Sequence, residues 1–168
     1  RTDILGGGYH PHSRGNTMTI RTATVTPTIT AGAYSANDAV GGQMEFVDIC
    51  TASSNIAKLK NVVITDKGAQ DAKLYLVLFS EDFTATADNA EFDPSDSDLL
   101  NVVAVIEIAA TDYFDFKDNS VAIKTISGSP AVELVEGGTS LYGQLMVETS
   151  TPTYTSTSDL QVTLVVEV

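Results

Sequence analysis

The stretch LQVTLVVEV, residues 160–168, alternates along almost its whole length. Every even position from Leu160 to Val168 is leucine or valine, whereas Gln161, Thr163 and Glu167 occupy odd positions. Successive side chains of a β-strand point to opposite faces, so this spacing predicts a strand with one buried face. The stretch LYLVLF, residues 74–79, is apolar at every position and predicts a strand covered on both faces.

The rest of the chain repeats this pattern in short apolar segments separated by Gly, Pro, Asn and Asp. Pro94 followed by Ser95 predicts one short helical turn over residues 95–100. No other helical period is visible, so we expect an all-β protein, an antiparallel β-sandwich. A jelly roll is favoured because it closes most sheet edges within this length. The predicted strands are residues 19–30, 43–50, 58–65, 73–79, 101–109, 121–126, 131–135, 141–149 and 160–168.

The first 17 residues have a different composition. They contain three consecutive glycines at residues 6–8 and no apolar period, and consecutive glycines disfavour both helix and strand. We expect residues 1–17 to be an extended N-terminal arm and residues 18–168 to form one β-sandwich domain. A chain of 168 residues is long enough to bury a core of its own.

The charge balance excludes several classes of partner. The chain has 9 basic and 22 acidic residues, a net charge of −13 and a pI near 4.2. Nucleic acids and anionic membranes attract basic surfaces, and no basic stripe is present, so neither is an expected partner. No apolar run approaches the roughly 20 residues of a spanning helix.

The chain has few of the residue types that commonly act in catalysis, with one cysteine and two histidines. The single cysteine, Cys50, has no histidine near it in sequence and is expected to be a small buried residue. The only histidines, His10 and His12, lie in the arm and lack further ligands at a zinc spacing. We therefore expect a non-enzymatic protein without a cofactor. A hydrolase is the disfavoured alternative, because no sequence pattern indicates a nucleophile paired with a general base.

The segment of residues 80–98 is the most acidic in the chain. Clustered carboxylates are ligands for Ca²⁺, although the spacing of an EF-hand loop is absent. The favoured interpretation is a solvated or partner-facing loop without a metal, and the alternative is a calcium site. Its ligands would be Asp88, Asp93, Asp96 and Asp98.

Three aromatic residues, Tyr113, Phe114 and Phe116, cluster between Asp112 and a turn at residues 118–119. Two interpretations are open. The rings pack in the core, or they form an exposed aromatic patch suited to a protein interface.

The region of residues 31–79 and the acidic passage after it carry a family resemblance. AYSANDAVGG at 33–42 precedes an apolar strand at 44–49, LKNVVITD at 59–66 and LYLVLF at 74–79, and DNAEFDPSDSD follows at 88–98. This succession resembles small virion structural proteins of tailed bacteriophages, and the resemblance extends over about residues 18–168. The glycine-rich arm departs from that pattern, and no residue-level site can be carried over.

The resemblance implies a capsid decoration, or cement, protein on the outer capsid surface of the virion. Its expected partners are the major capsid protein and itself, as a homodimer or homotrimer. We predict partner contacts through Tyr9, His10, His12 and Arg14 of the arm and through Tyr113, Phe114 and Phe116. The alternative function is a receptor- or glycan-binding module of a tail or fibre, which predicts exposed aromatic residues on loop tips such as Tyr154.

Overall fold

The computed structural model describes residues 18–51 and 54–168. Ten strands, one short α-helix and one 3-10 turn at residues Ala110–Asp112 occur in this part of the chain. The predicted arm, residues 1–17, lies outside the described residues, and its boundary at Met18 stays a prediction. The strands are β1 (Ile20–Val25), β2 (Ala39–Phe46), β3 (Ile56–Asp66), β4 (Leu74–Phe79), β5 (Val102–Ile108), β6 (Tyr113–Asp115), β7 (Ser120–Thr125), β8 (Ala131–Glu133), β9 (Leu141–Val147) and β10 (Leu160–Glu167).

The strands form two antiparallel sheets. The six-stranded sheet has the order β1-β10-β3-β7-β6, and β8 pairs with the first residues of β3. The four-stranded sheet has the order β2-β9-β4-β5. The chain pairs its first strand with its last, its second with its ninth and its third with its seventh, and β4 pairs with β5. This is a long antiparallel ribbon folded over on itself, which is a jelly roll. The predicted fold class is therefore confirmed.

The core lies between the two sheets and is apolar. In β10 every second residue, from Leu160 to Val166, is buried, as the alternation of that stretch predicts. In β4 both faces are largely buried, as LYLVLF predicts. The inner face packs in the main core, and Val77 and Phe79 belong to a second, smaller apolar cluster on the outer side.

The prediction for β2 is wrong in its bounds. Residues 43–50 are predicted as the strand, with Gly41 and Gly42 in a turn before it, but β2 spans Ala39–Phe46 and includes both glycines. The pairing of β2 with β9 shifts register between Val40 and Met44. Gly41 has φ of +72° and a Cβ there would lie 2.8 Å from the Pro27 side chain, so glycine forms a bulge within the strand.

The predicted helical turn is confirmed as α1 (Asp96–Leu99), with the Ser95 hydroxyl accepting a hydrogen bond from the Asp98 amide. In the part of the chain that the structure describes, no helix has the length and apolar character needed to cross a bilayer.

Candidate functional site

The aromatic cluster divides between the two sides of β6. Phe114 and Phe116 are 69% and 57% exposed, and their rings meet edge to face with centroids 5.2 Å apart. Tyr113 points the other way, packs against the core and has a buried hydroxyl. Alternation along the strand produces this division. The core interpretation is therefore wrong for Phe114 and Phe116, which form an exposed pair at the edge of the six-stranded sheet.

A pair of carboxyl groups lies beside these rings. Asp71, in the β3–β4 loop, accepts a hydrogen bond from the hydroxyl of Ser120. Asp115 lies opposite Ser120 in the β6–β7 ladder, and its carboxyl group meets that of Asp71. Electrostatic repulsion by Asp71 raises the pKa of Asp115 above its ordinary value. The sequence contained no signal for this contact, because Asp71 lies in the β3–β4 loop and Asp115 lies in β6, far from it along the chain.

We expect the substitution Asp115→Asn to raise the melting temperature at pH 7. A raised folded-state pKa means that the pair is most favourable below pH ~4, and this stability is lost as pH rises through the raised pKa. Removing one charge relieves the repulsion at pH 7 and has little effect at pH 3. Thermal melts at both pH values test this, with Asp118→Asn in the same hairpin as the control for net charge. An equal rise for both variants would contradict the carboxyl-pair explanation.

The acidic loop, residues 80–95, is packed and does not simply extend into solvent. Phe83 is buried and stacks on Phe79 of β4 with ring centroids 3.9 Å apart, and Phe92 packs on the same cluster. The loop thereby covers part of the outer face of the four-stranded sheet. Its carboxylates at Glu81, Asp82 and Asp93 remain exposed. The prediction of a solvated loop is correct for these charges and wrong for the loop's apolar side chains.

Two polar side chains hold this loop in place. Gln144 of β9 is fully buried, and its amide nitrogen donates to the carbonyls of Gly41, at 2.8 Å, and Thr86, at 2.6 Å. Its amide oxygen accepts from the Thr86 backbone N–H at 3.1 Å. Asp88 accepts from the Thr30 hydroxyl, the Tyr34 hydroxyl and the Gly41 N–H at 2.6–2.7 Å. The loop is therefore tied to both β2 and β9.

The structure does not gather the candidate calcium ligands. Asp88 accepts a hydrogen bond from the hydroxyl of the buried Tyr34. Asp98 accepts a hydrogen bond from the Ser95 hydroxyl at the start of α1. Asp93 and Asp96 are exposed. Within residues 18–51 and 54–168, no group of three or more His, Cys, Asp or Glu side chains could hold a metal ion.

Two other predicted residues are located clearly. Cys50 is buried, and burial raises the pKa of its thiol, which disfavours the reactive thiolate. Tyr154, predicted on an exposed loop tip, is only 1% exposed and packs edge to face on Tyr34 at 5.9 Å. That prediction is wrong because the serine- and threonine-rich loop folds back onto the core. Tyr9, His10, His12 and Arg14 lie outside the described residues.

A further surface, which no sequence motif indicated, is the outer face of the six-stranded sheet. The pairing register places three successive rows of side chains on it, and none of the side chains in these rows is charged. Its one charged end has Glu167 paired with Lys58 at 3.2 Å and Lys60 at 3.5 Å. The rows are Thr22–Val165–Asn61–Thr125, Thr24–Thr163–Val63–Ile123 and Gln161–Thr65–Val121–Phe114.

An open cleft of about 390 Å³ lies where the acidic loop begins. Glu81, Asp82, Thr139 and Tyr142 are among the residues that line it. The carboxylates can accept hydrogen bonds from a polar ligand, and the threonine hydroxyl and the tyrosine phenol can both donate and accept them. Among the described lining residues there is no histidine or cysteine that would complete a nucleophile–base pair.

Comparisons with known proteins give only distant structural similarity. No family model and no curated protein matches the chain. A chain of Desmodium yellow mottle tymovirus aligns with a TM-score of 0.28 and 12% identity over 100% of this chain and 90% of its own. A chain of turnip yellow mosaic virus gives 0.30 and 9%, over 100% and 89%. One from infectious bursal disease virus, Gx strain, gives 0.37 and 13%, over 98% of this chain and 40% of its own. Scores below 0.5 do not bear on function.

Proposed function

We propose that the chain is a non-enzymatic structural protein of a virion. In its specific form, the proposal is a capsid decoration (cement) protein of a tailed bacteriophage. It binds the outer capsid surface, contacts the major capsid protein, associates with itself and staples neighbouring capsid subunits. The sequence resemblance is the ground for proposing a bacteriophage virion. The chemistry of the protein surface is the ground for proposing how the chain binds its partners.

The observation that carries the proposal is the exposed Phe114–Phe116 pair beside an uncharged sheet face. The chain has a net charge of −13, and an exposed apolar surface does not contribute to its solubility. Such a surface is typical of a site that binds a protein partner. Aromatic rings supply much contact area at a small entropic cost, which makes them effective interface residues. The exposed carboxylates elsewhere keep free subunits apart before assembly.

Cryo-electron microscopy of the native particle tests this function. Density for the jelly roll on the outside of the shell, at junctions between capsid subunits, is the expected result. Its contact residues should include Phe114 or Phe116. Density at a tail or fibre would contradict the decoration role and support the second candidate below.

We expect deletion of residues 1–17 to lower occupancy on particles at least tenfold while leaving the melting temperature of the β-sandwich within about 2 °C. The proposed contacts of Tyr9, His10, His12 and Arg14 with the shell would be lost, whereas the sandwich core begins after Met18. Occupancy is measured by co-sedimentation of purified protein with undecorated shells. The full-length chain with Phe114→Ser and Phe116→Ser keeps the arm but lacks the aromatic pair. Comparing it with the deletion variant distinguishes the contribution of the arm from that of the pair. Unchanged occupancy after the deletion would exclude the arm as a contact.

The second candidate is a receptor- or glycan-binding module of a tail or fibre. The cleft lined by Glu81, Asp82, Thr139 and Tyr142 favours it, because carboxylates bind sugar hydroxyls through paired hydrogen bonds. Glycan-array binding that is lost on Asp82→Ala would support this candidate. Absence of binding to host cells and to the array would exclude it.

A further inference from the structure

We propose that the outer face of the six-stranded sheet is the interface of a homodimer, in which the same face of a second copy packs on it. The inference deepens the self-association part of the proposed function and rests on it. It also chooses between the two expected stoichiometries, because a face that packs on itself closes with two-fold symmetry and gives a dimer.

The two sheets differ in how their outer faces are covered. On the four-stranded sheet, Val77 and Phe79 point outward but are buried, since the acidic loop folds over them. On the six-stranded sheet, no comparable segment of the described chain covers the three rows. Ile123 there is 62% exposed, and Val63, Val121 and Val165 are only half-buried.

The three rows of the six-stranded sheet are apolar at their centre. Their centre is formed by Val63, Ile123 and Val165, which are β-branched and apolar. Thr24 and Thr163 flank this centre, and their hydroxyl oxygens lie 2.8 Å apart, so they satisfy each other and need not be hydrated singly. Burying this face therefore removes apolar area from water without leaving a charge unpaired.

The distribution of charge favours a second copy of the chain as the occupant of this face. Two chains of net charge −13 repel each other wherever their carboxylates meet. The three rows carry no carboxylate, and Glu167 at their end is neutralised by Lys58 and Lys60. This face therefore lets two copies approach with little repulsion. A strongly basic partner would instead select the acidic surfaces.

The size of the face sets the expected affinity. Strands about 4.8 Å apart make the five-strand width about 19 Å, and three rows about 6.8 Å apart span about 14 Å. With side-chain margins, the contact is about 400 Å² per copy, roughly half of a standard interface. We therefore expect a dissociation constant on the order of 100 µM in solution. Attachment of neighbouring copies to one shell raises their effective concentration to the millimolar range, where the dimer forms.

Sedimentation equilibrium of the 168-residue chain from 10 µM to 1 mM tests the interface. We expect the average mass to rise from that of a monomer toward twice that value. Ile123→Glu should raise the dissociation constant at least tenfold, because the two-fold axis brings two new carboxylates together. The matched control is Val105→Glu on the outer face of the other sheet, since Val105 is 59% exposed and the change in charge is the same. This control should dimerise as the unmodified chain does.

Circular dichroism melts establish that each variant is folded, and Thr163→Glu is a second variant on a neighbouring strand. Raising NaCl to 0.5 M should strengthen the dimer by screening the net repulsion. A chain that stays monomeric at 1 mM, or a dimer unaffected by both Ile123→Glu and Thr163→Glu, overturns the inference. So does a dimer that salt dissociates, because it would be held by ion pairs.

The sedimentation result is independent of particle localisation. Dimerisation through this face with no density on the shell would refute the decoration role and leave the interface standing. Density on the shell from a chain that stays monomeric at 1 mM would refute the dimer interface and leave the decoration role standing.

Discussion

Substitution of Gln144 by leucine is expected to lower the free energy of unfolding by about 3–5 kcal/mol. Leucine has a similar volume but no polar atoms, so the Gly41 carbonyl and both backbone groups of Thr86 lose their partner. Each buried group left without a hydrogen bond costs about 1–3 kcal/mol. Because Gln144 is fully buried, water can replace these bonds only if the acidic loop opens.

Urea denaturation followed by circular dichroism measures this loss. Gln43→Leu is the matched control, since Gln43 also bonds the loop, at Asp82 and the Phe83 carbonyl, but is exposed. The control should lose less than about 1 kcal/mol because water replaces its bonds. Equal losses for the two variants would show that burial does not decide the effect. A larger loss for Gln144→Leu would establish that the loop is an integral layer of the sandwich.

Substitution of Asp88 by alanine is expected to lower the free energy of unfolding by about 3–4 kcal/mol. Its carboxylate accepts three hydrogen bonds, and bonds to a charged acceptor contribute about 1.5–3 kcal/mol each. The Tyr34 hydroxyl would lose its acceptor inside the structure, because Tyr34 is buried. Some of the loss is recovered when water reaches the cavity, since Asp88 itself is only half-buried.

Urea denaturation again gives the measurement, with Asp93→Ala in the same loop as the control. Asp93 is exposed, so its loss should stay within about 0.5 kcal/mol. A double-mutant cycle with Tyr34→Phe should give a coupling energy of about 1–2 kcal/mol. If Ca²⁺ stabilised the unmodified chain but not Asp88→Ala, the carboxylate would be a metal ligand and our assignment would be wrong.

Local alternation predicted most of the strands. β4, β5, β7 and β10 lie within a few residues of their predicted bounds, because a period of two records which side chains face the core. The predicted bounds of β2 were wrong because two consecutive glycines, Gly41 and Gly42, are typical of a turn. Whether such a pair turns the chain or bulges within a strand depends on the partner strand, here β9.

The candidate site was less predictable than the fold. The sequence singled out Phe114 and Phe116 without deciding between core and surface, since a three-residue strand is too short to show a period. It placed Tyr154 at an exposed tip because serine and threonine surround it. The packing of that loop on Tyr34 buries the ring, and this contact joins distant parts of the chain.

Composition and the spacing of residues two apart were enough to predict the fold class, the acidic surface and the inward side of the clearest strands. The pairing of the first strand with the last, and the covering of one outer face by the acidic loop, became evident only in the folded chain. The folded chain likewise shows that the outer face of the six-stranded sheet has three uncharged rows, which no segment of residues 18–51 or 54–168 covers. These features arise from contacts between residues far apart in the chain, where local pattern carries no information about the partner.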